Sequence, residues 1–401
     1  MKKIIQINTI LSSGSTGRIA EDIGNLVIKN GFESWIAYGR GNPVSNSNLI
    51  RISNDYNNII HALNTRIWDN HGLESKAFTS SFINQINDIK PDIIHLHNIH
   101  GYYLNYPIIF DFLKKWGGPV IWTLHDCWPF TGHCAHYSFC NCDRWKSQCF
   151  NCPQKNIYPK SLFFDRSKKN YNDKKNAFLD CPNLHIVTVS NWLSKEVGKS
   201  FLKDYNRSTI YNGIDLNIFK PSVKSNLYNN EKKILGVASI WNERKGLNDF
   251  IELRKYLPDD YKITLIGLTQ KQIKELPLGI TGYEKTTNIQ ELVSHYNSAN
   301  VYVNTSKEET LGMTTIEALA CGTPAVVCDS TAVAEPINHK TGFILNPGNI
   351  KGMAEKIIET CEMKPFSSTD CRERVELLFD KNKNYKAYIE LYNNLVGKIK
   401  K

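Results

Sequence analysis

Short runs rich in Ile and Val recur along the chain, and most are followed by segments with apolar positions at helical spacing. Runs that lack polar alternation read as strands buried on both faces, which points to parallel sheets covered by helices. In the first half, strands are expected at Ile4–Asn8, Ser34–Tyr38, Asp92–His97, Val120–Leu124, His185–Val189 and Ser208–Tyr211. Gly14–Gly17 reads as a tight loop, and Ile19–Lys29 as a helix stopped by Gly31. The second half repeats this grammar, with strands expected at Lys233–Ala238, Lys262–Ile266, Gly279–Tyr283, Val301–Asn304, Ala325–Cys328 and Gly342–Leu345. The class is therefore α/β, with two doubly wound, Rossmann-like domains. Such sheets bind ligands at the C-terminal ends of their strands.

The 401 residues suffice for two domains of ordinary size. Between the halves lies Tyr211-Asn-Gly-Ile-Asp-Leu-Asn-Ile-Phe-Lys-Pro221, with a turn signal, a breaker and then a polar stretch to Asn230. The linker is expected there. The domains then run over 1–220 and 221–379, with an amphipathic helix over 380–401 that carries Tyr385, Tyr388, Leu391, Tyr392 and Leu395.

Composition narrows the class. Hydrophobic residues make up 41% of the chain, yet no apolar run approaches a membrane span. Met-Lys-Lys leads into the first strand and not into a signal peptide, so a cytoplasmic protein is expected. Eleven cysteines, an odd number, argue against a disulfide framework there. The net charge of +10 is compatible with an anionic membrane leaflet, nucleic acid or phosphorylated small molecules.

The most informative stretch is Glu309-Thr-Leu-Gly-Met-Thr-Thr-Ile-Glu317-Ala-Leu-Ala-Cys-Gly-Thr-Pro324, set between two strands. A loop carries Glu309 to the mouth of a helix, and Glu317 sits two turns inside it. The first amides of that helix, around Gly312, Met313 and Thr314, form a candidate anion site. Carboxylates on either side suit a diphosphate with hydroxyl-rich groups at both ends, which describes a nucleotide-sugar. Asn242-Glu-Arg244-Lys245-Gly246 follows the first strand of the second half. Its two adjacent cations suit the same diphosphate, Arg244 bidentately and Lys245 as a point charge. The plainer alternatives are a solvated helix and a solvated basic turn.

Two glutamates separated by seven residues, followed by Ala-Leu-Ala-Cys-Gly-Thr-Pro, resemble the donor-site motif of glycosyltransferase family 4, which has the GT-B fold. That resemblance implies two domains facing a central cleft, with the terminal helix crossing back to the first. It implies a retaining transfer from a UDP- or GDP-linked sugar, with no catalytic divalent metal. Glu309 would hold sugar hydroxyls and Glu317 the ribose. Lys245-Gly246 matches the family's Lys-Gly, whereas Ser239 stands where many members carry an arginine. Arg244 is then the candidate second cation. His125 matches a histidine beside the donor sugar; the alternative is a hydrogen-bonded structural histidine. Gly17 matches the family's first loop, and Arg18 faces a candidate anionic acceptor. Asn98 and His100 are further acceptor-side candidates, His95 and His97 are read as packing and loop support, and Tyr283 lies at a strand end near the expected nucleotide.

One loop stands apart. Cys134, Cys140, Cys142, Cys149 and Cys152 fall within nineteen residues, with Cys127 just upstream. Clustered soft ligands favour tetrahedral zinc. A structural Zn²⁺ on Cys134, Cys142, Cys149 and Cys152 is expected, with Cys140 the substitute; free packed thiols are the alternative.

The expectation is a cytoplasmic glycosyltransferase, peripheral to the inner face of the plasma membrane. It would act on a saccharide or lipid-linked acceptor in polysaccharide synthesis and would not bind nucleic acid. A GT-B epimerase or hydrolase of nucleotide-sugars is one rival. A zinc-loop nucleic-acid-binding protein, suggested by charge with Arg144, Trp145 and Lys146, is another.

Overall fold

A computed structural model describes residues 1–222 and 231–399. The polar stretch expected to continue the linker to Asn230 lies mostly outside the described residues. The chain forms two compact units, one of Met1–Ile210 with the segment from Tyr385, the other of Tyr211–Asn384.

The first unit is built on a seven-stranded parallel sheet. Its strands are β1 (Lys3–Ile10), β2 (Glu33–Arg40), β3 (Asn48–Arg51), β4 (Ile93–Leu96), β5 (Val120–Leu124), β6 (Leu184–Thr188) and β7 (Asn206–Thr209). Their order is β3-β2-β1-β4-β5-β6-β7. β4 and β5 are buried throughout, as strands covered on both faces must be. Ile19, Ile23 and Val27 from the first helix pack with Ile4, Ile93 and Val187. Tyr385, Tyr388, Ile389, Tyr392 and Val396 of the terminal helix join the same core. Only the edge strand β3 lacked an expectation; it is four residues long and mostly exposed, so its pattern is weak.

The first helix begins at Gly14, not after Gly17. Gly17 is buried in it, and a Cβ there would lie 3.2 Å from the backbone of Ile10 and Leu11. The missing side chain lets the helix close onto the end of β1.

The second unit holds a six-stranded parallel sheet of order β10-β9-β8-β11-β12-β13. The strands are β8 (Lys232–Val237), β9 (Tyr261–Ile266), β10 (Ile280–Tyr283), β11 (Val301–Asn304), β12 (Ala325–Cys328) and β13 (Gly342–Leu345). Its core joins Ile234, Ile263, Val301 and Val326 to Phe250 and Ile357 from flanking helices.

Both orders reverse direction once. In the first sheet the reversal lies between β1 and β4, and in the second between β8 and β11. Successive crossovers leave such neighbours in opposite directions, so their loops part and open a crevice at the strand C-termini. Each crevice lies within its own unit.

Candidate active site

In the second unit, the loops after β8 and β11 flank the reversal, and both carry charged groups. After β8, Asn242 caps a single 3₁₀ turn by accepting the Lys245 N–H at 3.1 Å. Gly246 follows with φ of 74°, and a Cβ there would sit 2.4 Å from Thr305 Oγ1. Thr305, just past β11, donates to the carbonyls of Lys245 and Gly246, each at 3.1 Å. The two loops are therefore sewn together, and the seam brings Lys245 Nζ into an ion pair with Glu309 Oε1.

Both side chains of that pair are mostly buried, Lys245 at 16% and Glu309 at 15% exposure. Burial pushes the Glu309 carboxyl up, but Lys245 and Arg244 outweigh it and hold the group below its ordinary value. The Glu309 backbone is fixed as well: its N–H donates to Thr331 Oγ1 at 2.8 Å, and Thr331 Oγ1 donates back to its carbonyl at 2.9 Å. Arg244 Nη1 donates to Glu308 O at 2.7 Å. No local pattern marks Thr331, which the fold brings across from the loop after β12.

The helix Met313–Ala320 starts at Gly312, and no side chain caps it. One expected donor is already engaged, because the Met313 N–H donates to Leu311 O at 2.8 Å. Thr314 is held from beneath, where Tyr302 Oη donates to Thr314 Oγ1 at 2.7 Å. Glu317 accepts from buried Tyr296 Oη at 2.7 Å. Tyr283 closes β10 at the sheet's far edge, 40% exposed and 5.3 Å from the His295 ring. It lines a surface pocket with Gln270, Gly282 and Thr287.

In the first unit, His125 and Asp126 follow β5. Behind them runs a chain of hydrogen bonds whose direction is determined. Gln6 Nε2 donates to Ala20 O at 3.0 Å, and a carbonyl can only accept. Gln6 Oε1 therefore faces His97 Nε2, 3.0 Å away, and must accept from it. Burial lowers the His97 pKa well below the ordinary value, so the ring is neutral and its Nδ1 carries a lone pair. His97 Nδ1 lies 3.1 Å from His125 Nε2, which must then donate. Burial also lowers His125, to about 4, so its remaining nitrogen, Nδ1, is a hydrogen-bond acceptor. His95, beside them, bonds Tyr392 Oη at 2.7 Å and Thr123 Oγ1 at 2.8 Å, a packing role.

Asp126 is held by His100, whose Nε2 lies 2.9 Å from Asp126 Oδ2. Burial pushes the Asp126 carboxyl up, but His100 and the Trp128 N–H bring it down to about 2. His100 is itself buried, and its Nδ1 bonds Tyr158 Oη at 2.9 Å. It supports Asp126 instead of presenting its ring at the surface. Asn98 is half-buried, and its N–H donates to Asn8 Oδ1 at 3.2 Å. Thr9 Oγ1 donates to Asn98 O at 3.0 Å and also bonds His100 O, so the loops on either side of the β1–β4 reversal are tied. Arg18 is exposed on the first helix, and its Nε donates to Gly14 O at 3.1 Å.

The cysteine loop does not present the expected zinc ligand shell. Among the described residues, no group of three or more His, Cys, Asp or Glu is placed to hold a metal ion. The thiols bond within the protein instead. Cys134 hydrogen bonds Cys152, which raises the Cys134 thiol and lowers that of Cys152. Gly132 N–H donates to Cys149 Sγ at 3.1 Å, and Cys140 Sγ donates to Tyr137 O at 3.1 Å. Cys142 and Cys149 still lie close enough to act electrostatically on the Cys134–Cys152 pair. The sequence also missed the loop's anchor. Buried Lys174 donates to Trp128 O at 2.7 Å and Thr131 O at 3.0 Å, with its ammonium 3.6 Å from the Trp128 ring centre.

Two parallel Rossmann-like sheets in one chain are the architecture of GT-B glycosyltransferases. Sucrose-phosphate synthase from Thermosynechococcus elongatus superposes with a TM-score of 0.75 at 18% identity, over 99% of this chain and all of that one. Anabaena Alr3699/HepE in complex with UDP-glucose gives 0.65 at 14% identity, over 98% of this chain and all of that one. The fold is GT-B, and the class is a glycosyltransferase. A family profile described as Glycosyltransferase Family 4 matches residues 16–218, and one described as Glycosyl transferases group 1 matches 231–363. The chain belongs to glycosyltransferase family 4. Among curated relatives, WcaC of Escherichia coli K12 is 22% identical over 98% of this chain and all of its own length; its name assigns it provisionally to colanic acid biosynthesis as a glycosyl transferase.

Proposed function

We propose that the protein transfers a hexosyl group, with retention of configuration, from a UDP- or GDP-linked sugar to a hydroxyl acceptor. The acceptor is a saccharide or lipid-linked intermediate of cell-surface polysaccharide synthesis, met by a cytoplasmic enzyme at the inner face of the membrane. The full-length likeness to WcaC supports the polysaccharide setting, and the UDP-glucose complex of HepE supports a nucleotide-sugar donor.

The observation that carries the reading is the Lys245–Glu309 pair beside Arg244, at the strand reversal of the second sheet. Lys245 has three N–H donors, and Glu309 takes one, so the ammonium can meet phosphate oxygens while the carboxylate orients sugar hydroxyls. Glu317, steadied by Tyr296, accepts from the ribose. In transfer, the bond from the anomeric carbon to the diphosphate oxygen breaks, and its electron pair stays on that oxygen. The acceptor oxygen bonds to the same face of the anomeric carbon, and its proton passes to the departing phosphate oxygen. Arg244, Lys245 and the helix start oppose the charge that grows there, a task divalent ions perform in other enzymes. His125 is the residue beside the donor sugar in this reading.

The loop 127–154 gathers one structural zinc on Cys134, Cys142, Cys149 and Cys152 in this reading. Supporting it are the soft donor set and the electrostatic influence of Cys142 and Cys149 on the Cys134–Cys152 pair. No step of transfer runs through that ion.

The decisive experiment is a thermal-shift panel of nucleotides and nucleotide-sugars, followed by a transfer assay with the donor that stabilises most. Release of free sugar at the same rate with and without an acceptor would overturn transferase in favour of a hydrolase or epimerase.

A further inference from the structure

The helix Asp55–Trp68 is inside out. Its buried positions are polar: Asn58, His61 and Thr65. Asn58 Nδ2 donates to Gly39 O at 3.0 Å, and the Gly72 N–H donates to His61 Nε2 at 3.1 Å. His61 Nδ1 in turn meets Ser75 Oγ at 2.9 Å, and Thr65 Oγ1 donates to His61 O at 2.9 Å. The outward face is apolar. Tyr56 is 74% exposed, Ile59 58%, Leu63 48% and Trp68 49%, with Ile60 and Ile67 between them. Tyr56, Ile59, Ile60, Leu63 and Ile67 recur at helical spacing and form one stripe, while Trp68, seven residues after His61, is exposed in the last turn on the flank toward the polar face.

A second exposed apolar segment meets the helix at its last turn. Leu162, Phe163 and Phe164 are exposed, with Phe163 at 69%. Phe164 stacks on Trp68 with ring centres 4.8 Å apart, and the Leu162 N–H donates to Arg66 O at 2.7 Å. Hydrogen bonds therefore fix both segments, and the apolar surface they share is held in place. A contiguous exposed apolar surface of this kind marks a contact.

We propose that this face, the outer stripe of Asp55–Trp68 with Leu162–Phe164, seats the protein on an anionic lipid bilayer. The argument for lipid is the charge around it. Arg66, Lys160 and Lys168 are exposed on or beside the same two segments, against the exposed acid Asp165, which accepts from the Cys152 N–H. Asp55, the acid at the helix start, is already paired with Arg51, and Asp173 with Lys169. A two-fold contact between copies would bring these cations toward each other, whereas phosphate headgroups neutralise them. Aromatic and aliphatic side chains ringed by Arg and Lys suit the boundary between headgroups and acyl chains.

The inference sharpens the membrane part of the proposed function and rests on no residue of the donor side. The test is flotation of the full chain with vesicles of phosphatidylcholine alone and of phosphatidylcholine mixed with phosphatidylglycerol. Binding is expected to the mixed vesicles, with loss of Trp68 emission when brominated lipid is used and a Trp68→Phe variant as the reference. Leu63→Gln with Phe163→Gln should weaken that binding about tenfold or more, because two exposed anchors are removed and nothing buried changes. Lys160→Glu with Lys168→Glu should weaken binding to the anionic vesicles alone. Absence of vesicle binding, or equal binding by the Leu63→Gln/Phe163→Gln variant, overturns the proposal. So does a wild-type dimer that the same pair of substitutions converts to monomer in sedimentation, since the face would then cover a second copy. Vesicle binding as expected, with no sugar transfer from any donor, would defeat the transferase reading and leave this one standing.

Discussion

His97 Nδ1 lies 3.1 Å from His125 Nε2, and the Ala20 carbonyl, two residues further back along the hydrogen-bond chain, fixes which of the two nitrogens carries the proton. Gln6→Leu removes the oxygen that accepts from His97 Nε2 and should leave both tautomers of His97 populated. Side-chain ¹⁵N shifts read this directly. The wild type should show Nε2–H on both rings, and the variant a mixture on His97. Transfer should fall roughly tenfold in kcat with a smaller change in KM, as expected when an acceptor is less well poised. Gln6→Glu keeps an oxygen facing His97 and should restore the tautomer. Unchanged ¹⁵N shifts in Gln6→Leu would end the argument.

Glu309 and Lys245 form one unit, so their substitutions should not add. Lys245→Ala leaves a buried carboxylate with Arg244 and the Ser306 side chain but without its ion-pair partner, and kcat should drop on the order of a hundredfold or more. Glu309→Ala should lower transfer while leaving nucleoside diphosphate binding nearly intact. The double variant should be little worse than Lys245→Ala. Glu317→Ala should weaken nucleotide binding by roughly 1.5–3 kcal/mol, the loss of a charged hydrogen bond, as titration calorimetry would measure. Full activity with both glutamates replaced would refute the donor-site assignment.

Much of the fold was legible because strands covered on both faces must be apolar throughout. Val120–Leu124, Val301–Asn304 and Ala325–Cys328 are buried throughout and form strands over the expected bounds, as does Gly342–Leu345, an edge strand with Ile344 exposed. Lys245 and Glu309 were expected together from their motifs in the loops after β8 and β11, and the structure pairs them. Thr331 and Tyr296 were not. Each supports a site residue through one hydrogen bond across the fold, and nothing local marks it. The start of the first helix was misplaced, because Gly14 and Gly17 read as a loop while the structure carries the helix through both. The inverted helix Asp55–Trp68 escaped notice because periodicity gives the width of an apolar stripe but not the side on which it lies.

Five buried histidines make the protein sensitive to mild acid. Burial lowers His61 and His95 to about 3 and His125 to about 4, and it lowers His71 and His97 well below the usual value. Unfolding returns each to about 6.5, so the unfolded chain binds more protons between the two values. The stability these neutral rings permit is fully present above pH 6.5 and is lost as pH falls toward 4. His133, raised by Asp69 against the effect of burial, runs the opposite way and is a single group. Each extra proton contributes a slope of about 1.4 kcal/mol per pH unit within its window. Urea midpoints at a series of pH values from 7.5 to 4.5 should therefore fall steeply below about 6.5. A flat profile over that range would mean that the rings are charged or solvated in the folded protein.

The loop 127–154 offers the last test, because its two readings predict opposite chemistry. If Cys134, Cys142, Cys149 and Cys152 close around zinc, untagged protein purified without added metal should carry one equivalent, and the four thiols should resist native titration. Four thiolates leave no position for water or substrate, so the ion is structural. Slow removal by chelator should loosen the loop and lower thermal stability, and it should slow transfer only as the loop detaches from Lys174 and the Trp128 turn that follows Asp126. If the thiols stay bonded as the structure has them, Cys134 to Cys152 and Cys149 to Gly132, zinc should be below about a tenth of an equivalent. In that case Cys152, the thiol whose pKa its partner lowers, should react first with a limiting thiol reagent, ahead of buried Cys149, whose pKa burial pushes up to about 12. Cys152→Ser separates the readings in one experiment: it costs a ligand and most of the zinc in the first, and only one hydrogen bond, about 1 kcal/mol, in the second.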